Sequence, residues 1–492
     1  MQLCWHCRDF AVMGAIGMRQ MHRKSGRRRH RDADKRPGEK RRREFSGRVL
    51  LPCLTGMLLL NGCSRSMDSS EAAPSDADST VTDGGTVLNI YCWDSEIRNL
   101  MENYYPGYER EDDTTGRIGE VTVHFIITPT DDNAYEDNLD SVLPGNLEAA
   151  AADKVDVFLV DEENAGKYIG TEESYAVKLS DLGITQEELS EQYSFTREIV
   201  TDADGNQRGS SWQACAGGMI YNRTAAKSVL GSDDPADVQE AVKDWDTFKE
   251  TAERMKRAGY CMTASVDDTY RAYTGTAAGS WVNESGEYQV PEEYEEWAKD
   301  SHELLDEGMT GSVELWSEEW NLGFYEDTAV FAYFGPLWMI HDAAHAGEEG
   351  TAAACGDLGL VSGPQSFFWG GSWICAADGT DNKTLVKEII LTLTADESVM
   401  RKIAENDGEC VNHRAVLKEL AEDSSLGSSV LGGQNPYEIL AEAGENLEVT
   451  APRTGDREWK AAFRGAIKNY IEGRATYAEA VAQFKENAAA SE

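Results

Sequence analysis

The sequence predicts an α/β protein of two domains. From Thr86 onward, apolar runs of strand length alternate with helical stretches, and the strands are apolar at nearly every position. Such strands belong to parallel sheets covered by helices on both faces. About 430 of the 492 residues follow an N-terminal leader, more than one hydrophobic core normally organises.

Residues 1–62 form that leader. Val49 to Leu60 is an apolar run interrupted by Pro52, Thr55 and Gly56. It falls short of the roughly 20 residues that cross a bilayer but suits the apolar region of a signal peptide. Arg41, Arg42, Arg43 and Arg48 supply the basic flank, and Gly62 is small enough for a signal peptidase. Leu59-Leu60-Asn61-Gly62-Cys63 resembles the bacterial lipobox, with Asn61 departing from the usual small residue. The resemblance implies a diacylglycerol on Cys63 and a protein held outside the cytoplasm on the cell membrane. Paired acyl chains anchor where a single one does not. Residues 22–48 contain no Met, Leu or Val, so either the basic flank is long or Met18 or Met21 is the start. Cys4 and Cys7 make half a zinc site without a second pair, and no metal is expected.

The chain carries 46 Lys+Arg and 88 Asp+Glu, a net charge of −42. Residues 1–62 hold 15 and 5 of these, leaving 31 against 83 and a net of −52. A body this acidic excludes electrostatic binding to nucleic acid or to anionic lipid. It also suits a self-repelling monomer. Cys92, Cys215, Cys261, Cys355, Cys375 and Cys410 are scattered without metal spacing, so buried thiols are expected, with one or two disulfides left open.

Ser64 to Gly85 is small, polar and poor in apolar residues, a flexible spacer. Order begins with the strand Thr86 to Trp93. Helical character follows over Met101 to Tyr108, then a strand Val121 to Ile127, a helix Ala134 to Ala152 and a strand Val155 to Val160. Ligands in such sheets sit beyond the carboxyl ends of the strands, which places Trp93, Asp94 and Asp161 at a site. Asp202 to Asn206 starts like a calcium loop, but Gln207 and Gln213 stand where Gly and Glu are required. It reads as a hairpin turn. Gly217 to Asn222 is a strand, and helices are expected over Ala225 to Leu230, Trp245 to Ala258 and Pro291 to Glu307. Thr328 to Phe334 is strand-like and broken by Gly335-Pro336. Leu385 to Leu393, Ser398 to Glu405 and Glu458 to Asn487, with a break at Gly473, are helical.

The candidate chemistry lies in the aromatics. Of twelve Trp, several stand beside Gly, Pro or acids: Trp93, Trp212, Trp281, Trp338, and Trp369 with Trp373 around Gly370-Gly371. A sugar offers an apolar face to an indole ring and a rim of hydroxyls to Asp, Glu, Asn and Gln. Any one Trp more commonly packs a core. The set at loop junctions favours a cleft, while Trp245 and Trp297 sit in helical patterns.

These residues carry a resemblance to the family 1 extracellular solute-binding proteins of ABC importers, the group that includes maltose-binding protein. It rests on the strand ending at Trp93, Gly217 to Asn222 after Trp212, and Asp327 to Phe331 leading into Gly335-Pro336-Leu337-Trp338. Phe368-Trp369-Gly370-Gly371, Leu393 to Glu397, and Gly473-Arg474-Ala475-Thr476 with Glu479-Ala480 complete it. The resemblance implies a two-lobed, type II periplasmic-binding-protein-like fold with ligand between lobes joined by crossing strands. Lobe 1 would span 86–217 and 364–409, and lobe 2 218–363 and 410–492. Trp338 falls on a position whose ring stacks on sugar, and Trp459 lies within a residue of another. Tyr270, Tyr273 and Trp281 fall where the second lobe supplies aromatics. Gly370 and Gly371 either admit ligand close to the backbone or form a tight turn.

The implied function is capture of a mono- or oligosaccharide by hinge closure and delivery to ABC permease subunits, without cofactor or catalysis. An exported carbohydrate-active enzyme would instead need a carboxylate pair with separated pKa values, and no such motif stands out. A ligand-sensing lipoprotein serving a receptor kinase is the third reading.

Overall fold

A computed structural model describes residues 83–170, 174–325, 328–342 and 350–490. The expected leader at residues 1–62, Cys63 and most of the expected spacer lie outside these residues. Two sheets organise the chain.

The first sheet has seven strands. β1 (Val87–Cys92) lies between β4 (Val121–Ile127) and β5 (Val157–Val160), parallel to both, with Ile90 opposite Phe125 and Val157. Leu88, Ile90, Cys92 and all four residues of β5 are buried, as their unbroken apolar runs require. The flanking strands are antiparallel. β2 (Tyr108–Arg110) and β3 (Thr115–Ile118) form a hairpin on the edge of β4. β12 (Trp373–Ala376) pairs with β5 and in turn with β6 (Gly209–Ser211).

The second sheet has five strands. β7 (Ala216–Asn222), buried throughout, pairs antiparallel with β9 (Val330–Pro336), and β9 pairs parallel with β8 (Cys261–Thr263). β10 (Leu358–Val361) and β11 (Phe367–Phe368) share the other edge of β7. β9 continues through Gly335-Pro336, where the sequence suggests a break. Pro336 is the last residue of the strand, opposite Gly217 of β7.

Two further boundaries differ from expectation. The first helix is Glu96–Tyr104, opened by the Asp94 carboxylate accepting the Glu96 N–H at 2.8 Å. Tyr108 already belongs to β2. The helix expected to reach Ala152 ends at Val142, because Pro144 cannot continue it, and two 3-10 turns complete the span. By contrast, Trp245–Ala258 has the expected bounds. Asp244 caps it in a reciprocal box with Thr247, and Gly259 terminates it at φ +94°. The turn at Asp202 to Asn206 is held by the Asp202 Oδ1 accepting the N–H groups of Asp204 and Asn206.

The chain passes between the sheets at Trp212 to Cys215, joining β6 to β7, and at Trp369 to Ser372, joining β11 to β12. A third segment at Cys410 and Val411 lies beside the first. Ala214 N–H donates to Cys410 O (2.8 Å), Asn412 N–H to Trp212 O (2.8 Å) and Trp369 N–H to Cys215 O (3.1 Å). Three positions here have positive φ: Cys215 at +50°, Gly370 at +76° and Gly371 at +112°. Cys92, Cys215, Cys375 and Cys410 are buried free thiols, and burial pushes the Cys92 and Cys410 thiols up to about 12. No described helix is long and apolar enough to cross a membrane.

Candidate functional site

The carboxyl ends of parallel β1 and β5 point toward the crossing segments. A cavity of about 760 Å³ opens there. Trp93 and Asp94 follow β1 and Asp161 follows β5. Trp338 comes from the first turn of the helix Leu337–Asp342 after β9, while Trp369, Gly370 and Gly371 come from the crossing between β11 and β12. The structure thus brings together seven of the eleven residues expected at the site.

Trp93 and Asp161 are braced from behind. Trp93 meets Tyr135 edge-on at 5.4 Å, and Tyr135 is fixed because its hydroxyl donates to Leu159 O (2.8 Å) and accepts from Leu159 N–H (3.0 Å). The Asp161 Oδ1 accepts the N–H groups of Glu163 (3.0 Å) and Asn164 (2.8 Å), closing a turn at the end of β5. Burial, and then the neighbouring Glu162 carboxylate, raise Asp161 to about 7.

The other four expected residues lie elsewhere. Trp212 is fully buried beneath the cavity floor, its Nε1 donating to Glu96 Oε1 at 3.3 Å. Tyr273 stacks on Trp245 at 3.7 Å and donates to Asp300 Oδ2 at 2.6 Å. Trp281 packs in a second core cluster against Tyr294 (4.5 Å) and Phe463 (5.6 Å). Trp459 packs on that cluster beside Tyr288 and over Gly455. Tyr273, Trp281 and Trp459 have ring partners outside the cavity, and Trp212 is enclosed in the core.

Other lining residues were not singled out from the sequence. Trp316 is 44% exposed with φ +67° and lies near-parallel to Trp338, centroids 6.1 Å apart and planes 19° apart. Trp369 meets both rings at an angle, at 5.4 and 6.1 Å. A Trp in an acidic loop (Glu314-Leu315-Trp316-Ser317-Glu318) without an apolar run around it was the available signal. Trp316 lines a second cavity of about 590 Å³, which shares Glu163, Arg271 and Trp369 with the first. Glu162 and Glu163 directly follow Asp161, so the rule that picked Asp161 covers them too. Arg271, within the helix Tyr270–Thr274, donates from Nη1 to Glu162 Oε1 at 2.5 Å and from Nη2 to Glu163 Oε1. Its guanidinium holds the Glu163 carboxyl below the usual carboxylate range.

The lining is therefore aromatic and acidic. Flat rings and carboxylate acceptors suit a solute with an apolar face and hydroxyl donors. Among the described residues, no group of three or more His, Cys, Asp or Glu is placed to hold a metal ion.

Two α/β units around a cleft, joined by crossing segments, define a type II periplasmic-binding-protein-like fold. Residues 135–423 match the family of bacterial extracellular solute-binding proteins, and the chain belongs to that family. A crystal structure of an extracellular solute-binding protein family 1 member covers 82% of this chain and 100% of its own at 16% identity, with a TM-score of 0.66. The ABC transporter associated binding protein from B. animalis subsp. lactis Bl-04, in complex with β-1,6-galactobiose, covers 82% of this chain and 96% of its own at 17% identity (TM-score 0.59). Maltose-bound T. maritima MalE3 covers 82% and 100% at 15% identity (TM-score 0.58). At these identities the likeness is one of fold. No curated protein matches the chain.

Proposed function

We propose that the protein captures a mono- or oligosaccharide between its lobes, residues 86–217 with 364–409 and residues 218–363 with 410–492, and delivers it to an ABC permease. The observation that carries this reading is the cleft itself. Trp93 and Asp161 enter from the first sheet and Trp338 from the second, so ligand touching both lobes favours the closed form. Sugars bound to proteins of this fold, β-1,6-galactobiose and maltose among them, support the ligand class. The family is one of binding proteins, and the reading needs no catalytic step.

A thermal-shift screen against neutral mono- and oligosaccharides tests the reading. A ligand at 100 times its Kd stabilises by about 2.7 kcal/mol. A library in which no sugar moves the transition would overturn it, and new reducing ends would favour an enzyme. In the same proposal Cys63 carries the lipid. Cys63→Ser should then move the protein from the membrane fraction to the medium or leave it unprocessed, and unchanged processing and membrane retention would remove the anchor.

A further inference from the structure

Arg271 belongs to the second sheet's side of the cleft, in the helix Tyr270–Thr274 that packs on β11. Its two carboxylate partners, Glu162 and Glu163, belong to the first sheet, in the turn that leaves β5. The guanidinium reaches across with both arms, one to each carboxylate. It also lies 5.8 Å from the Trp369 ring centroid, over the crossing segment. The Glu162 side chain is 8% exposed and that of Arg271 18%. The Arg271–Glu162 arm is thus largely out of water, where a guanidinium–carboxylate contact is strong and costly to break on one side, while Glu163, 40% exposed, takes the outer arm. Arg271, Glu163 and Trp369 line both cavities, so the bridge stands where the two chambers meet.

We infer that Arg271 and the Glu162–Glu163 pair form an interlobe latch, which holds the cleft shut and partitions it into two chambers. The inference rests on the hinge-closing reading above and adds a residue assignment to it. With both arms engaged, Arg271 acts on closure rather than as an anchor for ligand. Arg457 supplies a second tie of the same kind, to Asn133 Oδ1 at 2.8 Å and Glu136 Oε1 at 3.3 Å. That tie lies on the helix Ala134–Val142, away from the shared chamber wall, and reaches each acceptor from one nitrogen.

Small-angle X-ray scattering of the purified protein without sugar tests the latch. Arg271→Ala should shift the radius of gyration upward, and Glu162→Gln/Glu163→Gln should shift it equally. The triple variant should open no further, because both changes break the same contact. Should Arg271→Ala lose its circular-dichroism signal, the isosteric double Gln variant carries the test. A radius of gyration unchanged in the folded variants, or shifts that add in the triple variant, would overturn the latch. The measurement uses no ligand, so its failure is separate from failure of the sugar screen.

Discussion

Trp316 and Trp338 lie near-parallel with centroids 6.1 Å apart and planes 19° apart, although 22 residues separate them in the chain. The spacing leaves the rings offset, with Trp369 angled against both. Ring faces that are not fully covered by protein are the surfaces a sugar can use. Trp338→Ala and Trp316→Ala should each weaken the sugar identified in the screen by about 1–2 kcal/mol, or some 5–30-fold in Kd. Isothermal titration would show it, and an unchanged Kd for both would remove these rings from the site.

Trp281 should behave in the opposite way. It is 3% exposed among Tyr294, Phe463 and Phe484. Trp281→Ala leaves a cavity in that cluster and should cost about 3–5 kcal/mol of stability. Calorimetry should find a lower Tm, while sugar affinity of the folded fraction stays at the parent value.

Asp161 carries a pH dependence. Burial, and then the Glu162 carboxylate beside it, push its carboxyl up to about 7 from the ordinary 3.8. The folded state therefore binds the proton more tightly than the unfolded one. Stability is fully retained below the unfolded value and falls as pH rises through about 7. Asp161→Asn keeps the oxygen that accepts from Glu163 and Asn164 and cannot ionise. Its Tm should gain on the parent between pH 5 and pH 8, and equal slopes would refute the assignment.

Gly371 and Gly370 should tolerate a methyl group unequally. A Cβ at Gly371 would sit 2.9 Å from the Trp373 ring with φ at +112°, whereas one at Gly370 would find its nearest neighbour, Trp338, at 3.8 Å. Gly371→Ala should lower stability by about 1–3 kcal/mol, and Gly370→Ala by about 1 kcal/mol from its backbone alone. Chemical denaturation would rank them, and the reverse order would contradict the crossing geometry.

Much of the first sheet was legible because β1 and β5 are buried at most positions and β4 is apolar along most of its length. β1, β4 and β5 appear as apolar runs, and Asp244 and Gly259 mark both ends of the helix between them. The hairpin of β2 and β3 was not legible. Its residues, Tyr108-Glu109-Arg110 and Thr115-Gly116-Arg117-Ile118, are mostly polar because the hairpin sits at the sheet edge and faces water. β11 was missed for another reason: two residues give no periodicity, and its pairing with β7 is set by the fold.

The sequence by itself determined the α/β class, the acidic character and the strand ends at Trp93, Asp94 and Asp161. These follow from local composition and from the rule that parallel strands present their carboxyl ends to a ligand. Only the tertiary structure decided which tryptophans face the cleft. Trp281 and Trp338 stand beside similar neighbours in sequence, yet one is enclosed by a ring cluster assembled from helices nearly 200 residues away. It alone also paired Arg271 with Glu162 and Glu163, since a charge contact across more than 100 residues leaves no trace in local pattern.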